Sequence, residues 1–140
     1  MLAGDEAAAP AIAAAIEALP AGATAQAFLE IADAESIFEF PQHENVELVW
    51  VTRNGAPYGS ALAGAVRTAG VANKHTSWFV HGVAEMVKDL RRYLFVEQGI
   101  PRSDVSISGY WRTGMTEDGW QSSKHEFVEA MESEEAAAAG

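Results

Sequence analysis

Four short stretches of this sequence place polar or aromatic groups where an extended apolar run gives out. The first is Leu2-Ala3-Gly4-Asp5-Glu6-Ala7-Ala8-Ala9-Pro10. A strand end, a glycine and a helix start turn free backbone N–H groups toward an anion. Gly4 allows the backbone to come close to it. The full G-x-G-x-x-G fingerprint of dinucleotide folds is absent. The plainer reading, and on residue types alone the commoner one, is a strand-to-helix turn with Asp5 and Glu6 as helix-start acids. The second stretch ends a strand on Thr52 and Arg53, before the turn Asn54-Gly55. Ligands of open parallel sheets bind outside the carboxyl ends of the strands. A guanidinium there can pair with a ribose 2′-phosphate, which favours NADPH over NADH. The alternative is a solvated arginine at a strand end.

The third stretch is Trp78-Phe79-Val80-His81-Gly82. Gly82 admits a ligand to the backbone, and His81 is a proton donor or a packing residue. A lone histidine is more often structural, and we read it so. No His-x-x-x-His or carboxylate cluster stands near it, so no metal site is expected. The fourth stretch, Ser106 to Gly114, carries Tyr110, Trp111 and Arg112. The aromatic rings can stack on a flat heterocycle, and Arg112 can meet a phosphate or a neighbouring domain. The common alternative is a hydrophobic anchor for the last helix. There is no G-x-S-x-G elbow and no G-x-x-x-x-G-K-[ST] loop.

These residues need elements to hold them. Apolar runs at Ala27–Ile31, Val46–Val51, Ser77–Val80 and Val105–Ser108 read as buried strands. Helical patterns fall between them: Ala7 to Leu19 with Pro10 in its first turn, Ser60 to Thr68 with Ser60 as N-cap, and Ala84 to Gln98 ended by Gly99. A last helix, Thr116 to Glu135, loses its periodicity near Met131. Strands alternating with helices imply a Rossmann-like parallel sheet of about five strands with helices on both faces. The first strand is clipped, since the glycine turn comes after three residues. Residues 2–130 form the domain and residues 131–140 an acidic, alanine-rich disordered tail.

The bulk numbers exclude more than they identify. The 140 residues suit one domain with one real core. A net charge of −11 argues against a nucleic-acid or anionic-membrane partner. There is no cysteine. That removes disulfides, thiolate metal sites and cysteine nucleophiles, and it fits a reducing cytoplasm. No membrane span and no secretory signal are expected.

Taken in order, the pieces resemble the C-terminal domain of the siderophore-interacting protein family. They are Gly4-Asp5-Glu6 with Ala9-Pro10-Ala11-Ile12, Glu17 to Gly22, Ala32-Asp33-Ala34, Val49-Trp50 with Arg53, and Gly59-Ser60-Ala61-Leu62. Gly82, Leu90-Arg91-Arg92-Tyr93-Leu94, Gly99 to Arg102 and Val105 to Gly114 follow. The likeness runs from Leu2 to about Trp120, and Gly109-Tyr110-Trp111-Arg112 is its most specific piece.

The resemblance implies a relative of ferredoxin–NADP reductases. An N-terminal barrel, absent from this chain, would hold FAD. This domain would bring NADPH (or NADH), and the flavin would reduce a ferric siderophore so that iron is released. Gly4, Asp5 and Glu6 would line the dinucleotide turn, and Thr52 and Arg53 would sit by the 2′-phosphate. His81 and Gly82 would lie near the nicotinamide, and Tyr110, Trp111 and Arg112 would face the flavin or the domain junction. Alone, the chain would be inactive. Two positions depart from the family pattern: Val83 stands where a glutamate is usual, and Ala7 where a threonine is. They leave open a second reading, a non-catalytic interaction module that kept the fold and lost the nucleotide.

Overall fold

The apolar runs become five parallel strands: β1 (Leu2–Gly4), β2 (Ala25–Ile31), β3 (Val46–Thr52), β4 (Trp78–Val83) and β5 (Val105–Trp111). The computed structural model describes residues 1–73 and 75–139. The strands form one sheet in the order β3-β2-β1-β4-β5, with every neighbouring pair parallel. Four helices accompany it: α1 (Ala9–Glu17), α2 (Ser60–Ala69), α3 (Ala84–Arg91) and α4 (Glu117–Ala139). This is the α/β architecture that the alternating pattern predicts.

Register shows why the sheet has two different faces. Ala3 lies between Phe28 and Val80, and those rows extend to Val49 and Ile107. On this face Leu62, Ala63 and Val66 of α2, Met86, Val87 and Leu90 of α3, and Met131 of α4 close the main core. On the opposite face α1 packs Ile12 and Ile16 against Leu2, Ala27 and Leu29. Further along that second face, Phe79, His81 and Tyr110 remain partly exposed.

β1 is short but central, bonded to β2 on one side and β4 on the other. Its Gly4 serves packing. A Cβ there would lie 2.8 Å from Ala8 Cβ and 2.9 Å from the His81 carbonyl oxygen. The glycine therefore lets α1 settle on the sheet.

Three local expectations change. Ser60 does not cap α2; its hydroxyl donates to the Pro57 carbonyl at 2.8 Å. Gly59 takes the cap position, and a strand carboxylate (Glu30) accepts from its N–H. The helix from Ala84 does not stay α-helical to Gln98. It passes into a π-helical stretch over Arg92–Glu97, where the Gln98 N–H donates to the Tyr93 carbonyl. The wider turn buries Tyr93 and Leu94 together. The chain beyond Met131 is helical through Ala139 and not frayed. Met131 enters the core and the Glu135 carboxylate is gripped by Arg91 and Arg102. A lost apolar periodicity did not signal disorder because a buried ion pair holds the helix end. Gly140 of the expected tail lies outside the described residues. Among the described residues, no helix is long and apolar enough to cross a membrane.

Candidate functional site

The sheet order reverses at β1, whose neighbours β2 and β4 lead the chain away in opposite directions. The carboxyl edge at such a reversal is where open α/β sheets take ligands. Asp5 follows β1 and is 1 % exposed. Its Oδ1 accepts from Ala7 N at 3.0 Å, and its Oδ2 accepts from Val83 N at 2.9 Å and from Trp111 Nε1 at 3.0 Å. Asp5 thus ties the ends of β1, β4 and β5 together. Burial raises its pKa, and the three donors only partly offset that.

The space beside Gly82 is filled by this carboxylate. A Cβ on Gly82 would stand 2.9 Å from Asp5 Cγ, and the residue's φ is +151°. Gly82 therefore accommodates the protein's own Asp5, where the sequence suggests room for a ligand. Val83, in the place of the family's usual glutamate, is buried and donates to Asp5.

Next to Asp5 lies a three-member ion network. Arg53 follows β3 directly and is 8 % exposed. Its Nη1 and Nη2 donate to the two oxygens of Glu6 at 2.8 and 2.6 Å. Nη1 also reaches Glu30 Oε1 at 3.1 Å. Glu30 is fully buried and accepts from Gly59 N and Leu62 N, at 2.8 and 2.9 Å. It supplies the helix cap that Ser60 does not. Hydrogen bonding to Glu6 first, opposed by burial and supported by Glu30, holds Arg53 above the ordinary arginine value. Its bond to Arg53 keeps Glu6 below the ordinary glutamate value. The Tyr58 ring covers the guanidinium at 4.3 Å and meets Trp111 edge-on at 4.9 Å. A solvated strand-end arginine is therefore not what the structure shows.

The sequence-derived residues divide into two groups. Asp5, Glu6, Arg53, Gly82 and Trp111 meet at the carboxyl edge. His81 and Tyr110 lie on the second sheet face, 5.2 Å apart between ring centroids. The His81 ring stacks on Phe79 at 3.9 Å, and its Nε2 is 3.0 Å from Ser106 Oγ. Burial, and then Lys124, lower its pKa, so the imidazole is neutral near neutral pH. Thr52 Oγ1 accepts from Asn54 Nδ2 at 3.1 Å. Arg112 lies over Phe127 at 5.0 Å and pairs with no carboxylate among the described residues. No metal-binding group of three or more His, Asp or Glu occurs among the described residues.

Sequence reasoning missed Glu30, Tyr58 and the Ile37–Pro41 loop. Glu30 carried a usable signal: a carboxylate inside an otherwise apolar buried run requires a partner. The loop carried none, since its neighbours are set by the fold. Phe38 and Phe40 pack edge-on against Trp50 at 5.1 and 6.2 Å. With Glu6, Ala9, Pro10, Ala13 and Pro41 they line a shallow cleft of about 300 Å³ beside the ion network.

An α/β sheet of this order defines the ferredoxin–NADP reductase-like fold as the structural class. The chain belongs to the siderophore-interacting protein family, whose match spans residues 1–114. It is 31% identical over 127 residues to the ferric vibriobactin reductase ViuB of Vibrio cholerae, covering 89% of this chain and 47% of that protein. An uncharacterized protein of Mycobacterium tuberculosis is 40% identical over 141 residues, covering 93% of this chain and 50% of that protein. A siderophore utilization protein from T. fusca superposes with a TM-score of 0.73 at 37% identity, over 83% of this chain and 45% of that one. The siderophore-interacting protein of Acinetobacter baumannii shares the fold at a TM-score of 0.76 and 20% identity, over 92% of this chain and 52% of that one. The chain thus spans about half the length of these two curated relatives.

Proposed function

We propose that this domain binds NAD(P)H at the carboxyl edge of its sheet and serves, with a flavin-binding half, in the reduction of a ferric siderophore. The observation that carries the reading is the cleft beside the strand reversal. It places an apolar aromatic wall (Phe38, Phe40) beside Glu6 and the guanidinium that Glu6 holds (Arg53). A flat base suits the first and a phosphate suits the second. Family membership and the likeness to a ferric vibriobactin reductase support the wider role.

In this reading Phe38, Phe40 and Pro10 flank the adenine, and Thr52 and Arg53 stand beside its ribose. Gly4, Asp5, Glu6 and Gly82 shape the turn under the pyrophosphate, with Asp5 fixing the strand ends. Tyr110, Trp111 and Arg112 face the flavin half, and His81 lies beneath them. When bound, the nicotinamide would supply hydride and the FAD of the other half would pass electrons on to ferric iron. The proposed setting is the cytoplasm.

A calorimetric or NMR titration with NADPH and NADH tests the reading. Saturable binding that perturbs Glu6, Phe40 and Trp111 is expected. No binding at millimolar nucleotide, with the flavin half restored, would remove it. One observation favours the second reading, an interaction module without a nucleotide: three of the four Nη hydrogens of Arg53 are already given to Glu6 and Glu30.

A further inference from the structure

The ion network at the carboxyl edge holds two carboxylates against one guanidinium. The two carboxylates are not equivalent. Glu30 is fully buried and has three donors: Arg53 Nη1 and the N–H groups of Gly59 and Leu62. Glu6 has one partner residue, Arg53, and its side chain is 44% exposed. If Glu6 leaves, Arg53 and Glu30 remain a neutral, hydrogen-bonded pair, so the fold retains its charge balance.

The contact that Glu6 makes has the shape of a phosphate contact. Its two oxygens lie against Nη1 and Nη2 at 2.8 and 2.6 Å, the paired fork by which arginine grips a phosphate. Tyr58 covers the flat face of the guanidinium, so the nitrogen edge held by Glu6 is the part a ligand can take. That edge adjoins the cleft formed by Ala9, Pro10, Ala13 and Phe38 to Pro41, which Glu6 itself lines.

We propose that Glu6 is a built-in stand-in for a phosphate monoester, occupying the edge of Arg53 that the 2′-phosphate of a dinucleotide takes when Glu6 swings aside. Glu6 is thereby a specificity-determining residue. A ligand without the extra phosphate binds with Glu6 in place. A ligand carrying it gains Arg53 but must displace Glu6 and tolerate its charge nearby. The wild-type domain therefore discriminates little between NADPH and NADH. The inference rests on the nucleotide reading for its ligand, but the exchange at Arg53 can be observed without a whole dinucleotide.

The test compares the full chain with Glu6→Gln, using NADPH, NADH and the fragment 2′,5′-ADP. Affinity is read by calorimetry, and the Arg53 and Gly59 signals by NMR. For the wild type, NADPH and NADH affinities within about threefold are expected. Glu6→Gln should tighten NADPH about tenfold relative to NADH, tighten 2′,5′-ADP to a similar extent, and shift the Arg53 side-chain signals on binding. Adding Arg53→Lys, which keeps the charge and loses the fork, should abolish that gain. Should Glu6→Gln fold poorly, Glu6→Asp keeps the charge and shortens the reach, and a smaller gain of the same sign is expected. An unchanged NADPH-to-NADH ratio, or equal tightening of both, would overturn the proposal. If no dinucleotide binds either protein, with the flavin half restored as well, the nucleotide reading falls. The fragment then decides: a gain only in the variant sustains the exchange at Arg53, and none in either protein overturns it.

Discussion

Arg53 and Arg91 are equally buried, each 8 % exposed, and each grips a glutamate through two nitrogens, yet their surroundings are mirror images in charge. At the carboxyl edge one guanidinium serves two carboxylates, buried Glu30 and exposed Glu6. At the end of α4 one carboxylate, Glu135, serves two guanidinia, buried Arg91 and exposed Arg102. In both places the exposed member is the surplus charge. What differs is the neighbourhood: the first surplus charge lines an open cleft, while the second rides with Arg91 on the Phe95 ring. Two similar clusters thus serve different ends, one poised for exchange and one fastening a helix.

The largest blow to this contrast should come from Glu30→Ala. It strips α2 of its cap and leaves Arg53 with only a solvent-facing partner. Breaking a buried pair by removing one member costs about 3–5 kcal/mol. Equilibrium denaturation should show a loss of that size, and a loss under about 1 kcal/mol would mean that Glu6 alone can hold Arg53.

Glu135→Gln should cost less, about 1–3 kcal/mol for charge-assisted hydrogen bonds, and the damage should stay local. Hydrogen exchange should rise in α4 from about Met131 onward and leave the sheet protected. The same variant has an acid signature. Burial alone would raise the Glu135 pKa, but Arg91 and Arg102 outweigh it and the net shift is downward. A carboxylate with a depressed folded-state pKa adds stability above its unfolded value, and that stability is lost as pH falls through the folded value. Glu135→Gln should therefore flatten the stability loss of the wild type below the ordinary glutamate value of 4.5. Asp5, whose pKa is raised, works with the opposite sign: its contribution is present in acid and lost as pH rises past 3.8. A profile unchanged by Glu135→Gln would show that the pair does not hold in solution.

The smallest effect should follow Tyr58→Leu, which removes the ring over Arg53. An exposed cation–π contact contributes roughly 0.5–1 kcal/mol. A much larger loss in thermal unfolding would show that Tyr58 supports Trp111 and, through it, Asp5.

Much of this fold could be read from residue pattern. Strands β2 to β5 and the four helices stand where apolar runs and helical periodicity put them, with ends shifted by a few residues. The chemistry was harder to see. Arg53 and Glu6 were legible as site residues because they stand at strand and helix ends, where ligands of such sheets gather. Their mutual contact was not legible, since it spans 47 positions and depends on β1 lying beside β2. Glu135 was masked by the alanines and glutamates around it, and its partner Arg91 read as an ordinary charge on an amphipathic helix. Ser60 fitted the cap pattern, yet the donors it would have satisfied were taken by a carboxylate from a distant strand.

The central position of β1 also bears on how the chain folds. Its contacts join residues far apart along the chain: Asp5 accepts from Val83 across 78 positions and from Trp111 across 106. Closing loops of that length costs chain entropy before any bond repays it, and folds dominated by distant contacts form slowly. β1 with β2, β2 with β3, and β4 with β5 can each pair over much shorter connections. Two half-sheets, β3-β2-β1 and β4-β5, waiting to join along the β1–β4 seam is the intermediate this topology favours, and their unpaired inner edges are where it would aggregate.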